Sequence, residues 1–216
     1  MISTCNVCHV TRYLRNLGLA AALPAMIAGA ACATQGPVLP DLFDVADVAV
    51  DDVLNIREQP SASAPVIGEL AHDATGIEAV AERDGWLQIN SGERAGWVNG
   101  RYLAIRQGVW PDAGLPATLS CYGNEPFWGL KQDGGQMVLS NLGGSDQSAQ
   151  VEAVLSSGAP LDLRRVIMAD DLTAVITPNE CNDGMSDRNF ALEAIVILGR
   201  GASAQMLSGC CSIAEK

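Results

Sequence analysis

From residue 41 onward, the sequence consists of short segments with alternating apolar and polar residues, separated by turns rich in glycine, proline, asparagine and aspartate. Such segments are typical of β-strands. No long segment has apolar residues at the 3.6-residue spacing of an amphipathic helix. The sequence therefore predicts a mostly β protein, with strands at 53–57, 66–70, 77–82, 86–89, 95–98, 119–122, 128–132, 136–140, 151–155, 172–176, 190–198 and 205–209.

Proline-bearing segments divide this β region into two predicted domains. A short linker at 34–40 precedes a first domain at 41–106, and a second linker at 107–116 precedes a second domain at 117–213. The second linker is short, so we expect the two domains to touch.

Residues 1–33 have the pattern of an export signal. Arg12 and Arg15 precede an apolar run at 17–31, and the small residues around Cys32 fit a cleavage site. We therefore expect a signal peptide and an exported, periplasmic protein. One alternative is a lipoprotein carrying its lipid on Cys32, anchored in the cell envelope. A third interpretation is an uncleaved leader that acts as a membrane anchor.

A haem-attachment motif, C-x-x-C-H, stands at residues 5–9. Because it lies ahead of the apolar run, export would leave it behind with the leader. We interpret the motif as a chance match, and we expect no haem or other cofactor.

Composition disfavours several classes of function. The chain has 13 Lys and Arg against 25 Asp and Glu, a formal net charge of −12. Such an acidic chain repels nucleic acid and anionic membranes, so we expect no nucleic-acid partner, and membrane contact only through a lipid anchor or an uncleaved leader. The only histidines are His9 and His72, so histidine triads and histidine-metal clusters are hard to build. We expect a non-enzymatic protein.

Three ordered motifs mark the first domain: LNIREQPSASAPVIGEL from Leu54, GWLQI from Gly85 and GWVNGRYL from Gly96. Together they resemble a bacterial SH3-like (SH3b) domain. The resemblance implies a small, strongly bent β-barrel and, in several members, a groove for cell-wall peptides or other peptide ligands. Glycine suits the sharp bends of such a barrel, as at Gly68, Gly85 and Gly96.

The candidate ligand-binding residues of this domain are Arg57, Trp97 and Tyr102. Arg57 would pair with a carboxylate of the ligand, while Trp97 or Tyr102 would form part of the groove wall. In the alternative interpretation, Trp86, Trp97 and Tyr102 all belong to the core or close the barrel.

The second domain carries GNEPFW at 123–128, CNDGMSDRNF at 181–190 and LSGCC at 207–211. As a set, these resemble an uncharacterised family of bacterial envelope proteins, many of them predicted lipoproteins, with an EPFW motif and a C-x-D-G-M-S-D loop. The resemblance brings no established activity. We expect a disulfide-stapled curved β-sheet or small barrel.

Four cysteines lie in this domain: Cys121, Cys181, Cys210 and Cys211. An even number in an exported protein indicates disulfides, with three possible pairings. A bridge between the adjacent Cys210 and Cys211 would be strained. We choose Cys181–Cys210 with Cys121–Cys211, which would tie the loop at 181 to the last strand.

A loop of possible function is formed by Glu125, Trp128, Asp183 and Asp187. In the structural interpretation, Asp183 and Ser186 bind backbone donors, Asp187 pairs with Arg188 or another arginine, and the Glu125-Pro126 step positions Phe127 and Trp128 for the core. A calcium site using Asn179, Asp183 and Asp187 is disfavoured because the EF-hand spacing is not met, so we expect no metal.

The function we expect is binding of a cell-wall peptide or a protein-derived peptide by the first domain. One alternative is a purely structural scaffold in which the two domains pack together and the groove is blocked. The other is a hydrolase that uses Glu125 with Asp183 or Asp187 as a carboxylate pair.

Overall fold

The computed structural model of the protein describes residues 36–141 and 144–214. The leader, its C-x-x-C-H motif and Cys32 lie outside these residues. The two helices among the described residues are single 3₁₀ turns, Gly100–Tyr102 and Gly201–Ser203, and neither is long and apolar enough to span a membrane. The described residues belong to one compact unit.

The first module is a seven-stranded antiparallel sheet with the strand order β3-β2-β6-β5-β4-β1-β7. Its strands are β1 (Asp41–Val45), β2 (Val53–Arg57), β3 (Val66–Ala71), β4 (Ile77–Arg83), β5 (Trp86–Ser91), β6 (Arg94–Asn99) and β7 (Leu103–Ile105). Apolar side chains from five of these strands form its core: Phe43, Leu54, Ile56, Ala79, Leu87, Ile89 and Val98.

At two positions of the first module, the structure shows why the residue must be glycine. A Cβ at Gly96 would lie 3.0 Å from Cδ1 of Ile67 and would also clash with the Ile56 side chain, so a larger residue would force the neighbouring strands apart. Gly85 has a φ of +79°, which a turn between β4 and β5 requires and which L side chains rarely adopt. The sequence predicted a small barrel with sharp bends for this module, whereas its strands form a seven-stranded sheet whose two ends, β3 and β7, do not pair among the described residues.

The second module is a closed eight-stranded barrel in the order β10-β11-β12-β13-β14-β15-β8-β9. Its strands are β8 (Ser120–Asn124), β9 (Phe127–Asp133), β10 (Gln136–Asn141), β11 (Gln147–Leu155), β12 (Arg165–Ala169), β13 (Leu172–Cys181), β14 (Phe190–Leu198) and β15 (Gln205–Ser212). The mostly β fold class, with a disulfide-stapled small barrel at the C-terminal side, is confirmed.

The core of the barrel is formed by every second side chain of its strands, as β14 illustrates. Along β14, Leu192, Ala194 and Val196 are fully buried, while the residues between them are more exposed. Trp128 from the EPFW motif enters the same core at 5 % exposure. Its indole needs space that two glycines provide, because a Cβ at Gly123 or Gly209 would collide with the Trp128 ring.

Two disulfides staple the barrel, and they join Cys121 to Cys211 and Cys181 to Cys210. This is the pairing chosen from the sequence. Successive residues of a strand point to opposite faces, so the adjacent cysteines of β15 reach different partners. Cys211 faces the core, directly opposite Cys121 on β8, whereas Cys210 faces the end of β13.

β1 lies between the two modules and contributes a side chain to each core. Phe43 packs in the core of the first module, and its neighbour Leu42 packs against the core of the barrel. Both are 4 % exposed. The two cores therefore meet across a single strand, and the modules are in direct contact.

The linker is fixed by a buried arginine. Arg165, which is 4 % exposed, donates hydrogen bonds to the carbonyl oxygens of Pro111 (3.0 Å) and Gly114 (3.0 Å) in the linker, and its guanidinium carbon lies 5.4 Å from the ring centre of Trp110. Nε1 of Trp110 donates to the carbonyl oxygen of Pro40 at 2.9 Å. These bonds hold the linker against both modules.

Candidate functional site

The first module carries an open groove of about 500 Å³. Its walls come from the segment before β2, from β2 itself, and from the ends of β5 and β6. The lining residues are Asp47, Val48, Ala49, Asp52, Val53, Leu54, Asn55, Arg57, Ala62, Trp86, Asn99 and Tyr102. All of them belong to the first module, so the barrel contributes nothing to the walls of this groove.

Two of the predicted ligand-binding residues lie together in this groove. Tyr102 is half-buried at the end of the 3₁₀ turn, and the guanidinium carbon of Arg101 lies 5.8 Å from its ring centre. Arg57, at the end of β2, donates from Nη1 to the carbonyl oxygen of Ala64 at 2.7 Å. Among the described residues, the other guanidinium nitrogens of Arg57 have no acceptor. They can therefore bind a ligand carboxylate.

The structure does not place Trp97 in the groove with them. Trp97 is 8 % exposed, and the guanidinium carbon of Arg83 lies 5.2 Å from its ring centre. It lines a separate cleft that faces residues 178–180 of the barrel. Although Trp97 is the cross-strand partner of Arg57, its ring lies under the guanidinium of Arg83 and beside the cleft toward the barrel. The expectation that Trp97 shares a groove with Arg57 and Tyr102 needs this correction.

Trp86 occupies the position in the groove that was expected of Trp97. It is half-buried, whereas the next residue, Leu87, is 4 % exposed and packs in the core. Since neighbouring strand residues point to opposite faces, burial of Leu87 turns Trp86 away from the core and toward the groove. The alternation of the GWLQI segment contained this signal, and the sequence interpretation had placed Trp86 in the core.

The loop from Asn182 to Asn189 is organised by the carboxylate of Asp183. Its Oδ1 accepts hydrogen bonds from the amides of Met185 (3.0 Å) and Ser186 (2.9 Å), and its Oδ2 accepts from Ser186 Oγ (2.9 Å) and pairs with Arg188 Nη2 (3.4 Å). Asn124 Nδ2 donates to the carbonyl oxygen of Asp183. The predicted bonding of backbone donors by Asp183 is present.

These contacts also set the charge of Asp183. Burial raises its pKa, but the hydrogen bonds from Met185 and Ser186 and the charge of Arg188 outweigh burial, so the pKa lies below its ordinary value. Asp183 is therefore ionised at neutral pH. Its two carboxylate oxygens already accept five hydrogen bonds from its own loop, so Asp183 serves to hold a structural turn.

Two details of this region differ from the sequence prediction. Arg188 pairs with Asp183, and Asp187, whose side chain is exposed, forms no ion pair among the described residues. Phe127 is 46 % exposed, so only Trp128 of the EPFW motif enters the core. Glu125 is exposed next to it, at the turn between β8 and β9. The reason is strand alternation, which can bury only one of the two adjacent aromatic residues.

No group of three or more His, Cys, Asp or Glu side chains is arranged to hold a metal ion within residues 36–141 and 144–214. In the loop region, the side chain of Asn179 donates from Nδ2 to Glu193 Oε2 at 3.2 Å. Asp183 is occupied by its own loop, as described above.

The loop from Asn182 to Asn189 also docks on the first module. The amide of Asp187 donates to the carbonyl oxygen of Glu93 (2.9 Å), and the amide of Ala95 donates to the carbonyl oxygen of Asp187 (2.8 Å). Asn90 and Asn189 exchange two further hydrogen bonds. The loop thus extends the β5–β6 hairpin by one parallel β-bridge.

An inter-module cleft of about 580 Å³ lies beside this contact. The first module contributes Leu70, Thr75, Gly76, Ile77, Glu78, Ile89, Asn90 and Gly92, and the barrel contributes Ser120, Tyr122, Arg188, Phe190, Ser212 and Ala214. Glu78 is 6 % exposed and accepts hydrogen bonds from Ser212 Oγ (2.5 Å) and from the amide of Ile213 (3.0 Å). Burial raises its pKa, against the opposing effect of these bonds.

Sequence reasoning missed Glu78 and Asn90, which connect the modules. Glu78 lies at an alternating position of a strand whose neighbours Ala79 and Val80 are also buried, so β4 has no clean polar face. A glutamate in such a strand indicates a buried carboxyl group that needs hydrogen-bond donors from another part of the chain. Asn90 gives no comparable signal, since its partner Asn189 lies 99 residues away.

Comparison with known proteins identifies a known domain family within the first module. Neither the curated proteins nor the solved structures contain a match to the chain. Residues 52–104 match the family model of the bacterial SH3 domain, and this match covers β2 to the middle of β7, including Arg57, Trp86 and Tyr102. The chain therefore contains a bacterial SH3 domain at residues 52–104.

Proposed function

We propose that this is an exported, non-enzymatic envelope protein that binds a peptide, such as a cell-wall peptide, in the groove of its SH3 module. The observation that supports it best is the pairing of Trp86 and Tyr102 in one open groove. Bacterial SH3 domains suggest a binding role that is often related to the cell wall. The two disulfides are consistent with an extracytoplasmic location.

The groove offers groups of both charges beside its aromatic walls. Arg57 provides guanidinium donors, while Asp47 and Asp52 provide exposed carboxylates. A peptide that carries both an amino and a carboxylate group would meet a partner for each. Trp86 and Tyr102 would cover its apolar parts, as aromatic residues do in other peptide grooves. Cell-wall stem peptides have this mixture of groups.

The experiment is a pull-down of the purified protein with intact peptidoglycan. Trp86→Ala should abolish retention, because truncating an aromatic anchor weakens binding by about 30-fold or more. The control is Phe127→Ala, which removes an exposed aromatic side chain from the barrel, outside the groove, and should leave retention unchanged. Circular dichroism of each variant checks the fold. Absence of wild-type retention at every salt concentration would exclude the cell-wall ligand.

Export has its own test. Mass spectrometry of the mature chain, purified from the organism that expresses it with its leader, should show a first residue of Thr34 for cleavage after the small-residue pattern. A diacylglyceryl mass on Cys32 would replace soluble export by a lipid anchor. A chain that starts at Met1 would contradict both.

The scaffold alternative gains support from the docking of the loop from Asn182 to Asn189 on the SH3 module. In that function the groove would be blocked. The groove walls come only from the SH3 module, which supports an accessible site. The pull-down therefore distinguishes the two: the scaffold predicts equal behaviour of wild type and Trp86→Ala.

A further inference from the structure

The inter-module cleft offers hydrogen-bond donors that no acceptor within residues 36–141 and 144–214 uses. Arg188 donates from Nε to Ser186 Oγ (3.2 Å) and from Nη2 to Asp183 Oδ2 (3.4 Å). Among the described residues, none accepts a hydrogen bond from its Nη1. The Arg188 side chain is 31 % exposed and lines the cleft, so this nitrogen is available to a ligand.

A second donor stands beside the guanidinium. The guanidinium carbon of Arg188 lies 5.9 Å from the ring centre of Tyr122, and the Tyr122 hydroxyl makes no hydrogen bond to any residue that the structure describes. Burial raises the pKa of Tyr122 to about 12, so the hydroxyl stays protonated and can donate at physiological pH. Ser120, on the same strand two residues earlier, lines the cleft with a hydroxyl that is likewise unused among the described residues.

Another part of the wall is apolar. Leu70, Ile77 and Ile89 come from the SH3 module and Phe190 comes from the barrel, where its ring meets Tyr122 edge to face at a centroid distance of 5.4 Å. A ligand for this cleft thus needs an apolar body next to a hydrogen-bond acceptor.

The surrounding charge limits which acceptor fits. Arg188 is already partly neutralised by Asp183, and Glu78 contributes a second carboxyl group to the cleft. A phosphate or another dianion would face this negative charge with one guanidinium to hold it. A carboxylate carries a single charge, and its two oxygens can take one donor from Arg188 and one from Tyr122. The site therefore suits a monoanion.

We propose that the inter-module cleft binds a carboxylate attached to a small apolar group, with Arg188 and Tyr122 holding the carboxylate and Phe190, Ile77 and Leu70 holding the apolar group. This site is separate from the SH3 groove, and it requires both modules. The shared chemistry fits two sources: the C-terminal residue of a peptide that ends in an aliphatic side chain, and a free short-chain acid.

The test is a titration of the ¹⁵N-labelled protein followed by two-dimensional NMR. N-acetyl-leucine represents the peptide C-terminus, and hexanoate represents the free acid. N-acetyl-leucine amide has the same body without the carboxylate and is the ligand control. We expect saturable shifts of the amides of Ile77, Asn189 and Ser212 with at least one of the two acids, and at least tenfold weaker binding of the amide. The acid that binds more tightly identifies the source.

Variants connect these shifts to the two donors. Tyr122→Phe keeps the ring and removes the hydroxyl, and it should weaken binding of the acid about tenfold, which corresponds to the loss of one hydrogen bond to a charged group. The matched control is Tyr102→Phe, the same substitution in the SH3 groove, which should leave the affinity of the cleft unchanged. Arg188→Lys should also weaken binding, because lysine lacks the planar two-point donor.

Three outcomes would overturn the proposal. They are equal binding of the acid and the amide, unchanged affinity in Tyr122→Phe, and shifts that fall on residues of the SH3 groove instead of the cleft. Failure of the peptidoglycan pull-down has no bearing on this test, because Trp86 does not line the cleft. The two proposals can therefore fail independently.

Discussion

Asn90 of the SH3 module and Asn189 of the barrel module exchange two hydrogen bonds: Asn90 Nδ2 donates to the carbonyl oxygen of Asn189 (2.7 Å), and the amide of Asn189 donates to Asn90 Oδ1 (3.0 Å). One side chain thus satisfies both backbone groups of its partner, in the geometry of a β-ladder. The bonds lie beside the bridge between Asp187 and the β5–β6 hairpin. Asn90 therefore anchors the loop to the SH3 module.

The first prediction follows from this exchange. Asn90→Ala leaves the amide and the carbonyl of Asn189 without partners in a partly buried place, so the free energy of unfolding should fall by about 1–3 kcal/mol. Urea denaturation measures the loss. Asn55→Ala, in strand β2 of the same sheet and without a side-chain hydrogen bond among the described residues, should change stability by less. Equal losses in the two variants would count against the anchoring role.

The second prediction concerns pH. Burial raises the pKa of Glu78 above 4.5, so the folded state binds its proton more tightly than the unfolded state. This contribution to stability is complete below the ordinary pKa and is lost as pH rises through the folded pKa. Glu78→Gln removes the titration. Relative to that variant, the wild type should lose up to about 1.4 kcal/mol of unfolding free energy per pH unit above pH 4.5.

Measuring the unfolding free energy of both proteins by urea denaturation, at steps from pH 4 to pH 8, would check this slope. Glu152→Gln, on an exposed position of β11, serves as the control for loss of one negative charge. A difference between wild type and Glu78→Gln that stays constant with pH would refute the prediction.

The third prediction separates the two disulfides. They close loops of different length, with sequence separations of 90 for Cys121–Cys211 and 29 for Cys181–Cys210. The chain-entropy relation then gives stabilisations of about 4.6 and about 3.6 kcal/mol at 25 °C. Paired alanine replacement of the first bridge should therefore cost about 1 kcal/mol more than replacement of the second, as measured by denaturation.

A second readout distinguishes the two bridges by place. Loss of Cys181–Cys210 should speed proteolysis within the loop from Asn182 to Asn189, since that bridge fixes the end of β13 from which the loop starts. Loss of Cys121–Cys211 should leave cleavage in this loop closer to the wild-type rate. The reverse order of cleavage rates would contradict the assignment.

The fourth prediction tests the space around Trp128. A Cβ at Gly209 would collide with the backbone carbonyl of Tyr122 and would lie 2.9 Å from Cζ2 of Trp128. Because backbone cannot move away cheaply, Gly209→Ala should destabilise the barrel by about 1–3 kcal/mol or more. Gly144→Ala is the control, since its Cβ meets nothing within 4 Å. Thermal unfolding of the two variants would show whether the melting temperature falls only for the first.

Sequence patterns predicted most of the described strands and missed β1, β7 and β12. β7 is only three residues long, whereas the other two share a physical cause. β1 buries Leu42 in one module and Phe43 in the other, and β12 has apolar residues on both faces, with a buried Arg165 at its start. In both strands the alternation of apolar and polar residues is absent. A method based on period two fails where both faces of a strand carry apolar residues.

The candidate site was predicted only in part, for a different reason. Alternation shows that Trp86 and Leu87 face opposite sides, but it does not show what covers each side. Trp97 lies under the guanidinium of Arg83 and shares a cleft with barrel residues 178–180, which belong to a distant part of the chain. Accessibility of an aromatic residue depends on such packing, which local sequence does not contain.

Closure of the barrel has a consequence for the chain as it leaves the ribosome. The first strand of the barrel, β8, pairs with its last strand, β15, and 90 residues separate the cysteines that join them. At a translation rate of about 5–20 residues per second, β15 is synthesised about 5–18 s after β8. During that time the nascent sheet has an open edge that another chain could pair with. Synthesis of this protein therefore passes through an interval in which the unpaired edge of the sheet is exposed to pairing with another chain.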